Sequence, residues 1–200
     1  MKIVKNMKTK KSGLMYGKTI AVVILMVVFQ LSVFSLNAQV EWTTVEEMGS
    51  LDYKKNDKLG FIDFSTSWCG WCKKLDKETF ANDTVARILN KYYHAAKFDA
   101  ESKDDVKWKN DIYKNPDLTK RTIHSFTKHI IIGKITFPTT VVLDRQMNVI
   151  NVLPGFYPAK DFVKVLWYFV DDNYKKHNFE SFLADFDSKF RPEMNKKLGY

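Results

Sequence analysis

Two hundred residues leave room for one domain of ordinary size or two small ones. A chain that is 45% hydrophobic and 28% charged, with 8 glycines and 5 prolines, is not disordered, collagen-like or wholly embedded in a membrane. The formal charge of +9 is concentrated at one end: residues 1–38 hold six lysines and no acid, and from residue 39 onward 26 bases face 23 acids, so basicity is no argument for a nucleic-acid partner.

Residues 1–38 read as an export signal. A lysine-rich start precedes the apolar run Ile20–Phe29, which fades through Gln30 to Leu36 and reaches the cleavage point expected after Ala38. The competing reading is an uncleaved anchor, although Ile20–Leu36 is 17 residues with three polar interruptions, short of the roughly 20 that span comfortably. Both readings put the body outside the cytoplasm, secreted or, in a bacterium with two membranes, periplasmic. No cysteine precedes Cys69, which excludes lipid attachment at a leader cysteine.

Residues 39–200 are expected to form a single domain with decorations. Val40–Lys58 carries apolar residues near helical spacing and predicts an opening helix. Leu59–Ser65 predicts a strand, a helix begins at Cys69, and Asn82 or Asp83 caps another holding Val85, Ile88 and Leu89. Tyr92–Asp99 predicts a second strand. Ala100–Lys134 is polar and ambiguous, with a short helix expected on either side of Asn115-Pro116. Thr139–Leu143 and Val149–Leu153 predict a hairpin turning at Asp144–Asn148. Asp161–Val170 and Phe179–Phe190 predict closing helices. Strands alternating with helices argue for an α/β sheet covered by helices.

The chemistry is concentrated in Ser67-Trp68-Cys69-Gly70-Trp71-Cys72-Lys73-Lys74. Two cysteines separated by two residues, after a strand and at the start of a helix, have the geometry of a redox motif. Cys69 falls where unpaired N–H groups and the positive end of the helix dipole favour a thiolate. Cys72 stands one turn further on, turned inward, so the spacing separates an attacking thiol from a resolving one. Two other readings stay open. A structural disulfide over so short a loop would stabilise little. A metal site would need two further ligands, and His94, His124, His129 and His177 show no paired spacing.

With these residues the chain resembles the thioredoxin family, and more closely its exported bacterial members with a Trp-Cys-Gly-Trp-Cys-Lys site, over about residues 59–170. The resemblance implies a three-layer α/β fold: a central mixed sheet flanked by helices, here with a helical insertion at about 100–134 and a C-terminal helical extension at about 173–200. It implies that Asp63 is a buried strand carboxylate moving the proton of Cys72, and that Lys97 is the lysine beside it. Phe137-Pro138-Thr139 matches the loop whose cis proline faces the disulfide, and Gly155 matches a glycine near the substrate groove. Cys69, Cys72, Asp63 and Lys97 would then carry the reaction, while Trp68, Gly70, Trp71, Phe137, Pro138 and Gly155 would contact substrate.

Trp71 departs from the family, standing where thioredoxin usually has proline at the first helical turn. The insertion is expected to border the groove. The activity implied is reduction of protein disulfides by a Cys69/Cys72 dithiol, with no metal and no organic cofactor, because the cysteine pair stores the two electrons. Its partners would be disulfide-containing client proteins and a membrane-embedded thiol carrier supplying electrons. The same atoms run in reverse as a disulfide oxidase or isomerase. A redox-silent peptide-binding module built on Trp68, Trp71, Phe137 and Phe156 is the reading from another class.

Overall fold

In the computed structural model, which describes residues 38–200, the chain opens with a two-residue strand, β1 (Trp42–Thr43), and a short helix, α1 (Val45–Gly49). The expected helix over Val40–Lys58 is thus reduced to five residues. Thr44 and Glu47 explain where it starts. The Thr44 hydroxyl accepts the Glu47 N–H at 3.1 Å, and the Glu47 carboxylate accepts the Thr44 N–H at 3.0 Å, a reciprocal cap. Residues 1–37, and with them nearly all of the export signal read at 1–38, lie outside the described residues.

Strand β2 (Leu59–Ser65) is followed by α2 (Gly70–Leu75), which runs directly into a π-helical segment, Asp76–Phe80. Helix α3 (Asp83–Tyr92) is capped by Asn82, whose side-chain oxygen accepts the N–H groups of Thr84 and Val85 at 3.1 and 3.2 Å. Strand β3 (Tyr93–Asp99) follows. The insertion then departs from expectation, because its first part is a hairpin, β4 (Val106–Trp108) with β5 (Asp111–Tyr113), and only its second holds a helix, α4 (Ser125–Ile130). The physical reason is alternation: Val106 and Trp108 are buried while Lys107 between them is exposed, a period of two. Trp108 packs against Phe126 at 5.3 Å and lies so near α1 that a Cβ on Gly49 would come within 2.9 Å of its ring.

Strands β6 (Thr139–Leu143) and β7 (Val149–Pro154) form the expected hairpin, and α5 (Ala159–Phe169) closes the sheet. The tail is more helical than its sequence suggests. It holds α6 (Asn173–Lys176), α7 (Phe179–Asp185) continuing as a π-helical segment to Phe190, and a further helix, α8 (Arg191–Leu198). Its Phe182, Phe186, Phe190 and Met194 are buried in the same core as α3 and α5. Among the described residues no helix is long and apolar enough to cross a membrane.

The sheet order is β1-β3-β2-β6-β7, with β1, β3 and β2 parallel and β6 and β7 antiparallel. Both faces are covered. Leu59 and Phe61 of β2 join a core with α2, α3 and α5, while Ile62 and Phe64 join a second core with α1, α4 and the β4–β5 hairpin. Burying each such large side chain stabilises the fold by about 1.5–3 kcal/mol. Of the fully buried positions on β2, one is polar: Asp63.

Candidate active site

The strand-to-helix turn after β2 builds the site. The Cys69 N–H donates to the Thr66 carbonyl at 3.1 Å, which bends the chain so that Cys69 caps α2. Its sulfur accepts the N–H of Cys72 at 3.1 Å, so it occupies the place where a helix start has unpaired donors. Cys69 and Cys72 are joined in a disulfide, with Cα atoms 5.3 Å apart and each residue only 4% exposed. Gly70 between them is exposed, with nothing within 4 Å of where a Cβ would sit.

On β2, the strand that leads to the disulfide, Asp63 is 1% exposed and its Oδ1 has no hydrogen-bond partner. Burial pushes its carboxyl up to about 7, opposed by the positive charge of Lys97 and assisted by the negative charge of Asp76. Lys97 stands directly opposite Asp63 in the β2–β3 register, as the resemblance implies. Its ammonium, however, is held by Asp76, and it also lies 4.9 Å from the ring of Trp42. Asp76 is a residue that sequence reasoning missed. Its signal was available: it lies four positions after Cys72, on the same helix face.

The Phe137-Pro138 peptide is cis. Pro138 directly precedes Thr139, which pairs with Phe64, so its loop stands at the end of the sheet from which β2 leads to Cys69. Gly155 is tied to this same loop. Its N–H donates to the Pro138 carbonyl at 2.8 Å, and its φ of +93° is a left-handed conformation that favours glycine.

Two aromatic pairs border the cysteines in sequence. Trp68, 52% exposed, meets Phe137 edge-on at 6.3 Å, and Trp71, 58% exposed, leans on Phe156 at 5.7 Å. The Lys74 ammonium lies 5.1 Å from the Trp71 ring and 5.0 Å from that of Phe156. Trp68 is further held by the insertion. Its indole N–H donates to the Glu101 carboxylate at 3.0 Å, and the Arg121 guanidinium lies 5.3 Å from its ring and 3.5 Å from Glu101. Glu101 and Arg121 carried no local signal, being 33 and 53 positions from Trp68.

The histidines considered as ligands are dispersed. His124 caps α4, accepting the Phe126 N–H at 3.1 Å, and His94 contacts Asn56 at 3.0 Å. Among the described residues no three His, Cys, Asp or Glu side chains are grouped as a metal would require.

The family model for a thioredoxin-like domain matches residues 51–169. Among curated proteins, the uncharacterized protein B0495.5 of Caenorhabditis elegans is 28% identical over 117 residues, 51% of this chain but 15% of that protein. Spermatogenesis-associated protein 20 of Mus musculus is 34% identical over 53 residues, 26% of this chain and 7% of its own. The chain therefore spans only a small part of these relatives. Among solved structures, a thioredoxin-fold protein from Helicobacter pylori is 18% identical with a TM-score of 0.47, covering 70% of this chain and 86% of its own. A putative disulphide-isomerase from Bacteroides thetaiotaomicron is 22% identical with a TM-score of 0.47, covering 68% of this chain and 98% of its own.

Proposed function

The chain belongs to the thioredoxin-like domain family, and from that premise we propose that it is an exported thiol–disulfide oxidoreductase that reduces protein disulfides. The observation carrying this reading is the Cys69–Cys72 disulfide at the start of α2, with the buried Asp63 carboxyl on the strand that leads to it. The disulfide is one half of a two-electron couple; the dithiol is the other.

In the reduced enzyme, the donors at the start of α2 that point toward the Cys69 sulfur favour its thiolate. That thiolate attacks one sulfur of a client disulfide, forming a mixed disulfide and expelling the other client sulfur as a thiolate. Cys72 then gives its proton to the Asp63 carboxylate and attacks the Cys69 sulfur. The second client thiolate leaves, the Cys69–Cys72 bond closes, and two electrons have passed to the client. A carboxyl titrating near 7 can take and return that proton at neutral pH. Lys97 acts through Asp63, offsetting part of the cost of its buried charge.

Trp68, Trp71, Phe137 and Phe156 supply an aromatic border on which an extended client segment can lie, beside backbone groups of the Pro138 loop. Regeneration draws electrons from a membrane-embedded thiol carrier, and the lysine-rich, apolar leader supports a reaction outside the cytoplasm, in the periplasm or secreted. No metal or organic cofactor takes part in this scheme.

The test is turnover of a model protein disulfide with an added dithiol reductant. Cys69→Ser is expected to lower turnover at least about 1,000-fold, and Cys72→Ser to accumulate a mixed disulfide visible by mass spectrometry. Peptide binding unchanged in both variants, with no turnover in the parent protein, would replace this reading with a redox-silent binding module. Direction is read from the equilibrium with glutathione: a potential near that of thioredoxin, about −270 mV, fits a reductase, and one near −120 mV would make the protein a disulfide donor.

A further inference from the structure

One row of side chains crosses four strands of the sheet. Lys97 of β3 stands opposite Asp63, Asp63 opposite Thr140 of β6, and Thr140 opposite Leu153 of β7. Residues directly paired across antiparallel strands share a face, with Cβ atoms about 4.5–5.5 Å apart. Asp63 and Thr140 are each 1% exposed. Each also keeps a buried side-chain oxygen with no hydrogen-bond partner, Oδ1 of Asp63 and Oγ1 of Thr140. One such atom calls for an explanation; two on paired residues call for a shared one.

The rest of the surroundings explains why they belong together. The charged groups facing Asp63 are Lys97 from β3 and Asp76 from the π-helical segment, and these two already hold each other. Phe61, on the same face of β2, is apolar, as is Leu153 beyond Thr140. Ser65, the other same-face neighbour, stands at the half-exposed end of the strand. Of the two residues paired with Asp63 in the sheet register, Lys97 and Thr140, it is Thr140 whose buried hydroxyl has no other engagement. Its chemistry is suited to a group that changes charge. The O–H can donate to a carboxylate, and the oxygen lone pairs can accept from a carboxylic acid. Valine, which fills the next two positions of β6, has the same shape and can do neither.

We propose that Thr140 is a positioning residue for Asp63: its hydroxyl, through one bridging water, donates toward the carboxylate and accepts from the acid, so the carboxyl keeps a partner in both protonation states. The consequence for turnover rests on the oxidoreductase reading above. There, Thr140 acts through Asp63 on the Cys72 proton and lowers the cost of the charged intermediate state.

The experiment follows the Asp63 carboxyl carbon by 13C NMR through a pH titration of the oxidised protein, in wild type, Thr140→Val and Thr140→Ser. Losing a hydrogen bond that is stronger to the charged form should move the Asp63 midpoint upward by about one pH unit in Thr140→Val. Thr140→Ser should restore it. Superimposable midpoints in wild type and Thr140→Val would overturn the proposal. A readout that needs no variant accompanies it: in the wild-type protein the Thr140 Cβ resonance should titrate with the Asp63 midpoint, and a pH-independent Cβ resonance would equally overturn it. Turnover measured on the same samples separates the two readings. Coupled titration without any turnover removes the oxidoreductase reading and leaves the pairing, whereas turnover with unmoved midpoints does the reverse.

Discussion

Two adjacent rows of the same sheet, one residue apart, obey different rules. Ala96, Ile62, Val141 and Val152 line up across β3, β2, β6 and β7 on one face; Lys97, Asp63, Thr140 and Leu153 line up on the other. The first row is wholly apolar, and Ala96, Ile62 and Val141 have no exposed surface. The second places an ionisable pair and an unengaged hydroxyl in a layer otherwise filled by Phe61, Phe80 and Phe162. A protein selected for stability alone would have filled both rows alike. Burying a carboxyl that must ionise costs stability, and on the proposed reading the difference between the rows measures what the fold gives up for a proton acceptor on the strand leading to its disulfide.

Asp63→Asn should widen this contrast most. At pH 7 the variant is expected to release client from the mixed disulfide about 100–1,000-fold more slowly, measured by stopped-flow alkylation. Stability should move the other way. The carboxyl rises from an ordinary 3.8 to about 7 on folding, so the folded form binds the extra proton between those values. Wild-type stability is therefore fullest below about pH 4 and declines as pH climbs through 7. Asn carries no such penalty and should exceed wild type by about 2–4 kcal/mol in urea unfolding at pH 9, with the gap closing at pH 4. A gap independent of pH would erase the distinction between the rows.

Ile62→Ala tests the apolar row. It should cost about 2–4 kcal/mol at every pH and leave the pH dependence of turnover unmoved, because it removes packing and no charge. The smallest effect expected lies outside both rows. Arg121→Ala frees one side of Trp68 and should raise KM for a protein disulfide about 2–5-fold, with a red shift in tryptophan emission.

The rows also mark what a linear reading can reach. Strands β2, β6 and β7 were legible because their runs of large or β-branched side chains are bounded by turn residues, and Asp63 was conspicuous as a charge amid Phe61, Ile62 and Phe64. The cysteine pair stood out by its spacing together with its place after a strand and at a helix start, whereas spacing alone left a metal site open. The β4–β5 hairpin was not, since three-residue strands are too short for alternation to outweigh the polar composition around them. The hold of Asp76 on Lys97 depends on how the π-helical segment packs beside β3, and that of Glu101 and Arg121 on Trp68 on how the insertion folds back; these contacts span 21 to 53 positions. Thr140 read simply as a strand former; only its register against Asp63 sets it apart.

A single carboxylate ties together residues 38 and 200. Asp83 accepts the N–H of Ala38 at 2.8 Å through one oxygen and the Tyr200 hydroxyl at 2.9 Å through the other, and the hydrogen bond from Arg87 lowers its pKa. A short peptide splice between these two points would therefore close the body into a ring without stretching it. The chain could then be reopened at the exposed Asn110, leaving every strand of the main sheet uncut.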